Sequence, residues 1–419
     1  MNSTDRTAPA AGCGDRGPGK EGFRFRAGRI DLLPPYLYAE LDRLEAETRA
    51  RGIDIISFGV GDPDLPTPPH IVDSICAAAQ DPANHRYPTY DGLLDFRRAV
   101  ADWYQQRFGV GLDPEHEVLT LIGAKEGIGH LLWAVVEPGD LVLVPDPAYP
   151  VYHSQVVLAG ATPVPVPLRA EHDFLADLDS LDSGIADRAR LIVLNYPNNP
   201  TGASASLDFF HRVLDFALRH QCLLVNDCVY SELYLDGNPP PSLLAVDGAK
   251  EAAVELHSLS KTYNMTGWRL GFAVGNREIL NSLLSVKKNC DSGAPQAIQR
   301  GGITALRGPQ GCVEELRATY RRRRDLAVQA FSRAGWSITP SPATFYLWAE
   351  VPPGYDSSTW AGWLLERTGI VVTPGQGFGE YGEGYVRLAL TLGEERIAEA
   401  AERVARAGSF AAHGRPNIR

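Results

Sequence analysis

The sequence predicts an α/β protein with a large domain, in which helices flank a mostly parallel sheet, and a smaller α+β domain built from the N- and C-terminal segments. Two observations support this fold class. Between residues 117 and 272, short apolar runs alternate with Gly or Pro punctuation and longer helical patterns, as in strands joined by crossover helices. With 419 residues, 44% of them hydrophobic, the chain is also long enough for two packed units.

Five short apolar runs are predicted to be strands of the large sheet. Each is continuously apolar, as expected for strands that are buried on both faces. Polar residues follow each run directly, and in an open α/β sheet such residues gather at the carboxyl ends of the strands, where ligands bind. The predicted strands are Val118–Ile122, Leu141–Val144, Leu191–Leu194, Cys222–Val225 and Val254–Leu256.

The order of these patterns also predicts the domain boundaries. Residues 1–22 are rich in Gly, Ala, Pro and small polar residues and are predicted to be a disordered leader. Residues 23–60 are assigned to the small domain, 61–293 to the large domain, and 294–419 to a linking helix and the rest of the small domain. Strands of the small domain are predicted at Ser337–Ile338, Ala343–Glu350, Ile370–Thr373 and Tyr385–Leu390.

Composition favours small-molecule substrates. The net charge of -11 argues against nucleic acid or an anionic membrane as the main partner, and the basic run Arg317–Asp325 is interpreted as one solvated helix face. There is no apolar run of the roughly 18 residues that a membrane span needs. Six cysteines without a C-x-x-C pair and ten histidines without ligand spacing indicate neither a metal site nor a disulfide framework, and a cytoplasmic location is expected.

The segment SLSKTYNMTGWRLG, residues 258–271, contains the most informative lysine of the chain. The sequence has neither the G-x-G-x-x-G signature of dinucleotide-binding enzymes nor a P-loop. A lone lysine is usually a solvated surface residue. Here Lys261 is flanked by the hydroxyl of Ser260 and by Arg269, and hydroxyls with a guanidinium form a typical phosphate site.

This segment resembles the Schiff-base lysine motif of the class I/II, fold-type I aminotransferases that depend on pyridoxal 5′-phosphate (PLP). The resemblance extends from about Phe23 to the end of the chain. Its nearest branch is the LL-diaminopimelate aminotransferases, whose motifs are similar to HRYPTYDG and VVTPGQGFGEYGEGYVRLALT here. It implies that Lys261 carries PLP as a Schiff base and that the enzyme moves an amino group between an amino acid and a 2-oxo acid.

The resemblance also implies which residues contact the cofactor. Asp227 would keep the pyridine nitrogen protonated, so that the ring withdraws electrons better. Tyr230 and Asn199 would bond to the phenolic oxygen. Tyr149 would stack on the ring. The remaining contacts are assigned to the cofactor phosphate, with one of them reaching from the neighbouring subunit: Ala124, Lys125, Ser258, Ser260, Arg269 and, from the partner, Tyr87.

Three residues are implied as substrate contacts. Arg387 would bind the α-carboxylate in bidentate geometry, which lysine cannot reproduce. Asn199 and the backbone of Gly61 would close over the same group. Because Tyr87 would act across a subunit boundary, the resemblance implies a homodimer with shared active sites.

Two further hypotheses stay open because the sequence departs from the branch at several positions. One is β/γ-elimination, replacement or carbon–carbon bond formation through a quinonoid, for example on S-adenosylmethionine. The other is a PLP-binding regulatory domain without catalysis. The departures are Ala124 in place of Ser, Ala294-Pro295 in place of Val-Phe, Gln376 in place of Asn, and Asp91 in place of Glu, which would alter the binding of a distal substrate ammonium.

Overall fold

The computed structural model describes residues 25–35 and 37–408, so the predicted leader, residues 1–22, lies outside the described residues. This part of the chain contains twelve strands. They are β1 (Ile56–Ser57), β2 (Val118–Leu121), β3 (Leu141–Asp146), β4 (Thr162–Pro167), β5 (Ala189–Leu194), β6 (Leu223–Asp227), β7 (Ala253–Ser258), β8 (Gly271–Gly275), β9 (Tyr346–Glu350), β10 (Ile370–Val371), β11 (Thr373–Pro374) and β12 (Tyr385–Ala389).

Helices cover the sheets and connect the strands. Two of them, α6 and α8, are single turns. The α-helices of the described residues are α1 (Leu37–Ala50), α2 (Pro69–Gln80), α3 (Leu94–Phe108), α4 (Ala124–Val135), α5 (Val151–Ala159), α6 (Ser183–Ala186), α7 (Leu207–His220), α8 (Leu259–Thr262), α9 (Arg277–Cys290), α10 (Gln296–Arg307), α11 (Gly311–Arg333), α12 (Ser357–Thr368) and α13 (Glu394–Ala407). None of them is both long and apolar enough to cross a membrane.

The large sheet has seven strands in the order β2-β8-β7-β6-β5-β3-β4. Only β8 runs in the opposite direction to the other six strands, which confirms the predicted mostly parallel α/β sheet. All five predicted strands are present. The sequence analysis did not identify β4 and β8. In β4, three prolines conceal the strand pattern, and prolines are tolerated there because the strand lies at the edge of the sheet.

The small domain contains a three-stranded antiparallel sheet, β11-β12-β9, and a parallel pair, β1 and β10. The predicted strand Ser337–Ile338 is wrong, since these residues follow α11 without regular structure. Ile338 is apolar because its side chain is buried in the small-domain core. The predicted domain boundaries at residues 61 and 294 remain predictions.

The basic run of α11 is not one solvated face. Arg322 is exposed, but Arg323 and Arg324 are only 5% and 6% exposed. They pair with Asp64 and Asp236, respectively, which come from loops of distant sequence position. The interpretation of this run as a solvated helix face is therefore wrong.

Candidate active site

A cavity of about 570 Å³ lies at the carboxyl ends of β5, β6 and β7. This is where an open parallel sheet places its ligands. Eleven of the predicted site residues line it, and two, Tyr87 and Arg387, do not. The eleven are Gly61, Ala124, Lys125, Tyr149, Asn199, Asp227, Tyr230, Ser258, Ser260, Lys261 and Arg269.

Lys261 lies in the single turn α8, directly after β7, and its Nζ donates to the carbonyl oxygen of Gly61 at 3.4 Å. Burial lowers the pKa of Lys261 to about 8, although the carboxylate of Asp62 opposes this effect. The guanidinium of Arg269 lowers the pKa further. A substantial fraction of the amine is therefore neutral near pH 8, the form that acts as nucleophile or base.

Asp227 ends β6 and is 4% exposed. Its Oδ2 accepts a hydrogen bond from the hydroxyl of Tyr152 at 2.8 Å, whereas its buried Oδ1 has no hydrogen-bond partner among the described residues. Burial raises the pKa of Asp227 to about 6, against the opposing effect of the Tyr152 hydroxyl. Such a carboxylate is suited to a cationic N–H donor, because an unpaired buried charge is costly.

The N-terminus of α4 forms one wall of the cavity. The helix begins after Gly123, which has φ +79 and provides no side-chain cap, so its first amides remain available to an anion. The guanidinium of Arg269 packs against this point, and a Cβ at position 123 would lie 2.4 Å from its Nη2. The hydroxyls of Ser258 and Ser260 line the same cavity. Together these donors suit a phosphate group.

Asparagines and tyrosines connect the cavity walls. The side-chain oxygen of Asn195 accepts a hydrogen bond from the backbone N–H of Asn199 at 2.8 Å. Its side-chain nitrogen donates to the backbone carbonyl of Asp227 at 2.7 Å. The hydroxyls of Tyr230 and Tyr346 are hydrogen-bonded at 3.0 Å. Sequence reasoning placed Asn195 among the polar residues that follow the strands but gave it no role, and it did not identify Tyr346.

Tyr152 is another cavity residue that the sequence analysis missed. A signal was present, because in DPAYPVY it follows Tyr149 by three residues, the spacing of neighbours on a helix face. Nothing in the segment indicates its bond to Asp227, which comes from a different strand.

Arg387 lies on β12 and is fully buried behind Asn199. Its guanidinium donates to Asn199 Oδ1 at 2.9 Å and to the carbonyl of Gly59 at 2.7 Å. It also lies 4.3 Å and 4.7 Å from the ring centroids of Tyr346 and Phe378. Asn199 thus connects the arginine to the cavity.

Tyr87 is 85% exposed and lies outside the cavity of this single chain. Its loop is bound to α10, because Gln296 donates to the carbonyl of Arg86 at 3.1 Å. The exposed ring is available to another molecule.

The departures from the family pattern lie mostly outside the cavity. Asp91 forms an ion pair with Arg97 at 2.8 Å, so this carboxylate already has a cationic partner within the chain. Pro295 directly precedes α10, and it does not line the cavity of the single chain. Gln376 lines an adjacent cavity of about 350 Å³, which shares Tyr149 with the first.

Comparison with known proteins identifies relatives over most of the chain. Residues 53–404 match the family model of aminotransferase class I and II. LL-diaminopimelate aminotransferases from Moorella thermoacetica and Aquifex aeolicus are each 53% identical to this chain, covering 91% of it and 97% and 98% of their own lengths. A probable N-succinyldiaminopimelate aminotransferase structure from Thermus thermophilus superposes with TM-score 0.84 at 40% identity, covering 88% of this chain and 100% of that one.

Proposed function

Because this chain belongs to the class I and II aminotransferases, we propose that it is a PLP-dependent enzyme that uses LL-diaminopimelate as an amino donor. One observation carries the cofactor assignment: Lys261 and Asp227, with its open Oδ1, line the same cavity. The relatives named LL-diaminopimelate aminotransferase, 53% identical over 91% of the chain, support the substrate. The predicted family and activity class are confirmed by these matches.

The residues of the cavity fit the parts of PLP. Asp227 would hold the pyridine nitrogen through its open oxygen, and Tyr149 provides an aromatic wall beside it. Arg269 and the first amides of α4 would bind the phosphate. When bound, PLP supplies an electron sink for the electron pair that remains when the Cα–H bond of an amino acid breaks.

The chain itself provides the proton transfers and the orientation of the substrate. The neutral amine of Lys261 would accept the proton from the substrate Cα, because its pKa of about 8 leaves a substantial fraction of the amine neutral near pH 8. Arg387, held in place by Asn199 and the Gly59 carbonyl, would attract the α-carboxylate. Asp227 is mostly ionised above pH 6 and so would stabilise a cationic ring nitrogen.

The substrate is tested by absorption spectroscopy of the PLP-loaded enzyme. LL-diaminopimelate should remove the visible band of the lysine-bound cofactor, and addition of a 2-oxo acid should restore it. The DD stereoisomer and the Lys261→Ala variant are the controls, and neither should show this cycle. An enzyme that forms no visible band with added PLP would contradict the cofactor assignment. Release of a side-chain leaving group from S-adenosylmethionine, without the cycle, would favour replacement chemistry.

We also propose that two copies share their active sites through Tyr87. Its 85% exposed ring supports this, and so do the half-exposed aromatic side chains of Tyr90 and Trp133. Mixing inactive Lys261→Ala and weakly active Tyr87→Phe subunits should create some dimers with one fully wild-type site, so activity should rise above that of either variant. Unchanged activity after verified subunit exchange would contradict shared sites.

A further inference from the structure

Loop 59–67, which has no regular secondary structure, passes over Lys261. Its carbonyl groups are bound one after another: Gly59 accepts from Arg387 at 2.7 Å, and Gly61 accepts from Lys261 at 3.4 Å. A Cβ at position 61 would lie 2.1 Å from the hydroxyl oxygen of Tyr346, so the loop lies directly against that ring. The position of this loop therefore sets the space around the lysine amine.

One side chain of this loop is held by a buried cation. Arg323 of α11 donates to both carboxylate oxygens of Asp64, at 2.7 Å and 2.8 Å. The same guanidinium donates to the carbonyl of Leu390, directly after β12, at 3.0 Å. Arg323 is 5% exposed, so solvent screens this pair little. The planar guanidinium fixes both the distance and the orientation of the carboxylate.

We infer that Arg323 is a positioning residue: its bidentate pair with Asp64 clamps loop 59–67 to α11 and so fixes the Gly61 carbonyl and the Asp62 carboxylate beside the amine of Lys261. Asp62 lines the cavity, and Val60, on the other side of Gly61, lines it as well. Arg323 itself does not line the cavity, so it acts on the site only through the loop. The kinetic part of this inference rests on the proposed function.

The neighbouring Arg324 is a matched control. It is equally buried, pairs with Asp236 at 2.5 Å, and donates to the carbonyl of Ser341 at 2.9 Å. Neither Asp236 nor Ser341 lines the cavity. The two arginines thus lie on the same helix, have a similar burial, and each donate to an aspartate and a backbone carbonyl of another segment. They differ in which loop they hold, and Arg324 also donates from Nε to Asp325 at 2.9 Å.

The test compares Arg323→Lys and Asp64→Asn with Arg324→Lys and Asp236→Asn. Hydrogen exchange of residues 59–67 is measured on the apoenzyme, because local opening exposes amides that a fixed loop protects. It should be faster in the first pair of variants only. In the PLP-loaded enzyme, kcat/KM should fall by up to about 100-fold in the first pair, the loss that a misplacement of ~1 Å can cause. Arg324→Lys and Asp236→Asn should retain the wild-type exchange of residues 59–67 and the wild-type kcat/KM.

Two outcomes would overturn the inference. Wild-type exchange of residues 59–67 in both Arg323→Lys and Asp64→Asn would show that the pair does not clamp the loop. Faster exchange with wild-type kcat/KM would show that the loop does not position the site. Because the exchange is measured without cofactor or substrate, it tests the clamp independently of the proposed function, and Asp64→Asn covers the case in which Arg323→Lys does not fold.

Discussion

Replacing Asp227 by asparagine should stabilise the apoenzyme while it abolishes efficient catalysis. Burial raises the pKa of this carboxyl from 3.8 to about 6, so the folded chain binds more protons than the unfolded chain between these values. Stability therefore falls as pH rises through this window. A shift of roughly two units corresponds to about 3 kcal/mol above pH 6. Asparagine does not titrate and can still accept the hydrogen bond of Tyr152.

The predicted gain depends on pH in a defined way. Asp227→Asn should unfold at higher urea concentration than wild type at pH 8, with a free energy of unfolding up to about 3 kcal/mol larger. At pH 5 the gain should be about half as large, because the wild-type carboxyl is then mostly protonated in the fold. Asp179→Asn, the same change at an exposed carboxylate, is the control.

The loaded enzyme should behave in the opposite way. With PLP bound, Asp227 would face a cationic nitrogen, so removing its charge should weaken cofactor binding and lower kcat.

Equal or lower stability of apo Asp227→Asn at pH 8 would refute the reasoning, because it would show that the buried carboxylate carries no desolvation cost. A gain of the same size at pH 5 and pH 8 would refute its attribution to titration.

Two other substitutions test contacts around the site. Tyr152→Phe removes the hydroxyl that lowers the pKa of Asp227, so the loss of PLP affinity on acidification should begin at higher pH in cofactor titrations. Gly379→Ala would place a Cβ 2.0 Å from Oδ1 of Asp146, so the melting temperature should fall by more than in Gly384→Ala, where φ is also positive but no atom lies within 4 Å. Equal losses in the two glycine variants would contradict this steric argument.

The sequence predicts the fold through local patterns, and it predicts most of the candidate site through those patterns together with the family resemblance. Buried parallel strands are apolar runs, and the residues that follow them, such as Asp227 and Lys261, line the cavity at the strand ends. Hydrophobic patterning indicates which residues are buried and whether they repeat with the period of a strand or of a helix. The topology of a parallel sheet then brings the carboxyl ends of its strands to the same edge. The predicted sites therefore came together although they are far apart in sequence.

The features that were missed depend on partners that no local pattern names. The basic run of α11 was interpreted as solvated, but Arg323 is buried and pairs with Asp64. This partner lies 259 residues away in the sequence, so the basic run itself does not reveal it. Asn195 and Tyr346 enter the site through contacts with other elements. Ile338 is apolar as a strand residue would be, but it belongs to no strand, and its side chain is buried in the small-domain core. Burial alone does not specify hydrogen-bonding partners.

The three prolines of β4 prevent further strands from pairing with this edge of the large sheet. In this edge strand, Thr162 donates its amide inward to the carbonyl of Asp140, and Leu168, directly after the strand, donates to that of Asp146. Amides alternate in direction along a strand, so positions 163, 165 and 167 face outward, and all three are proline. The outer rim thus has no amide donors at these positions, and a strand from another molecule cannot form a regular ladder on it. The same residues that concealed β4 in the sequence protect the sheet against edge-to-edge aggregation.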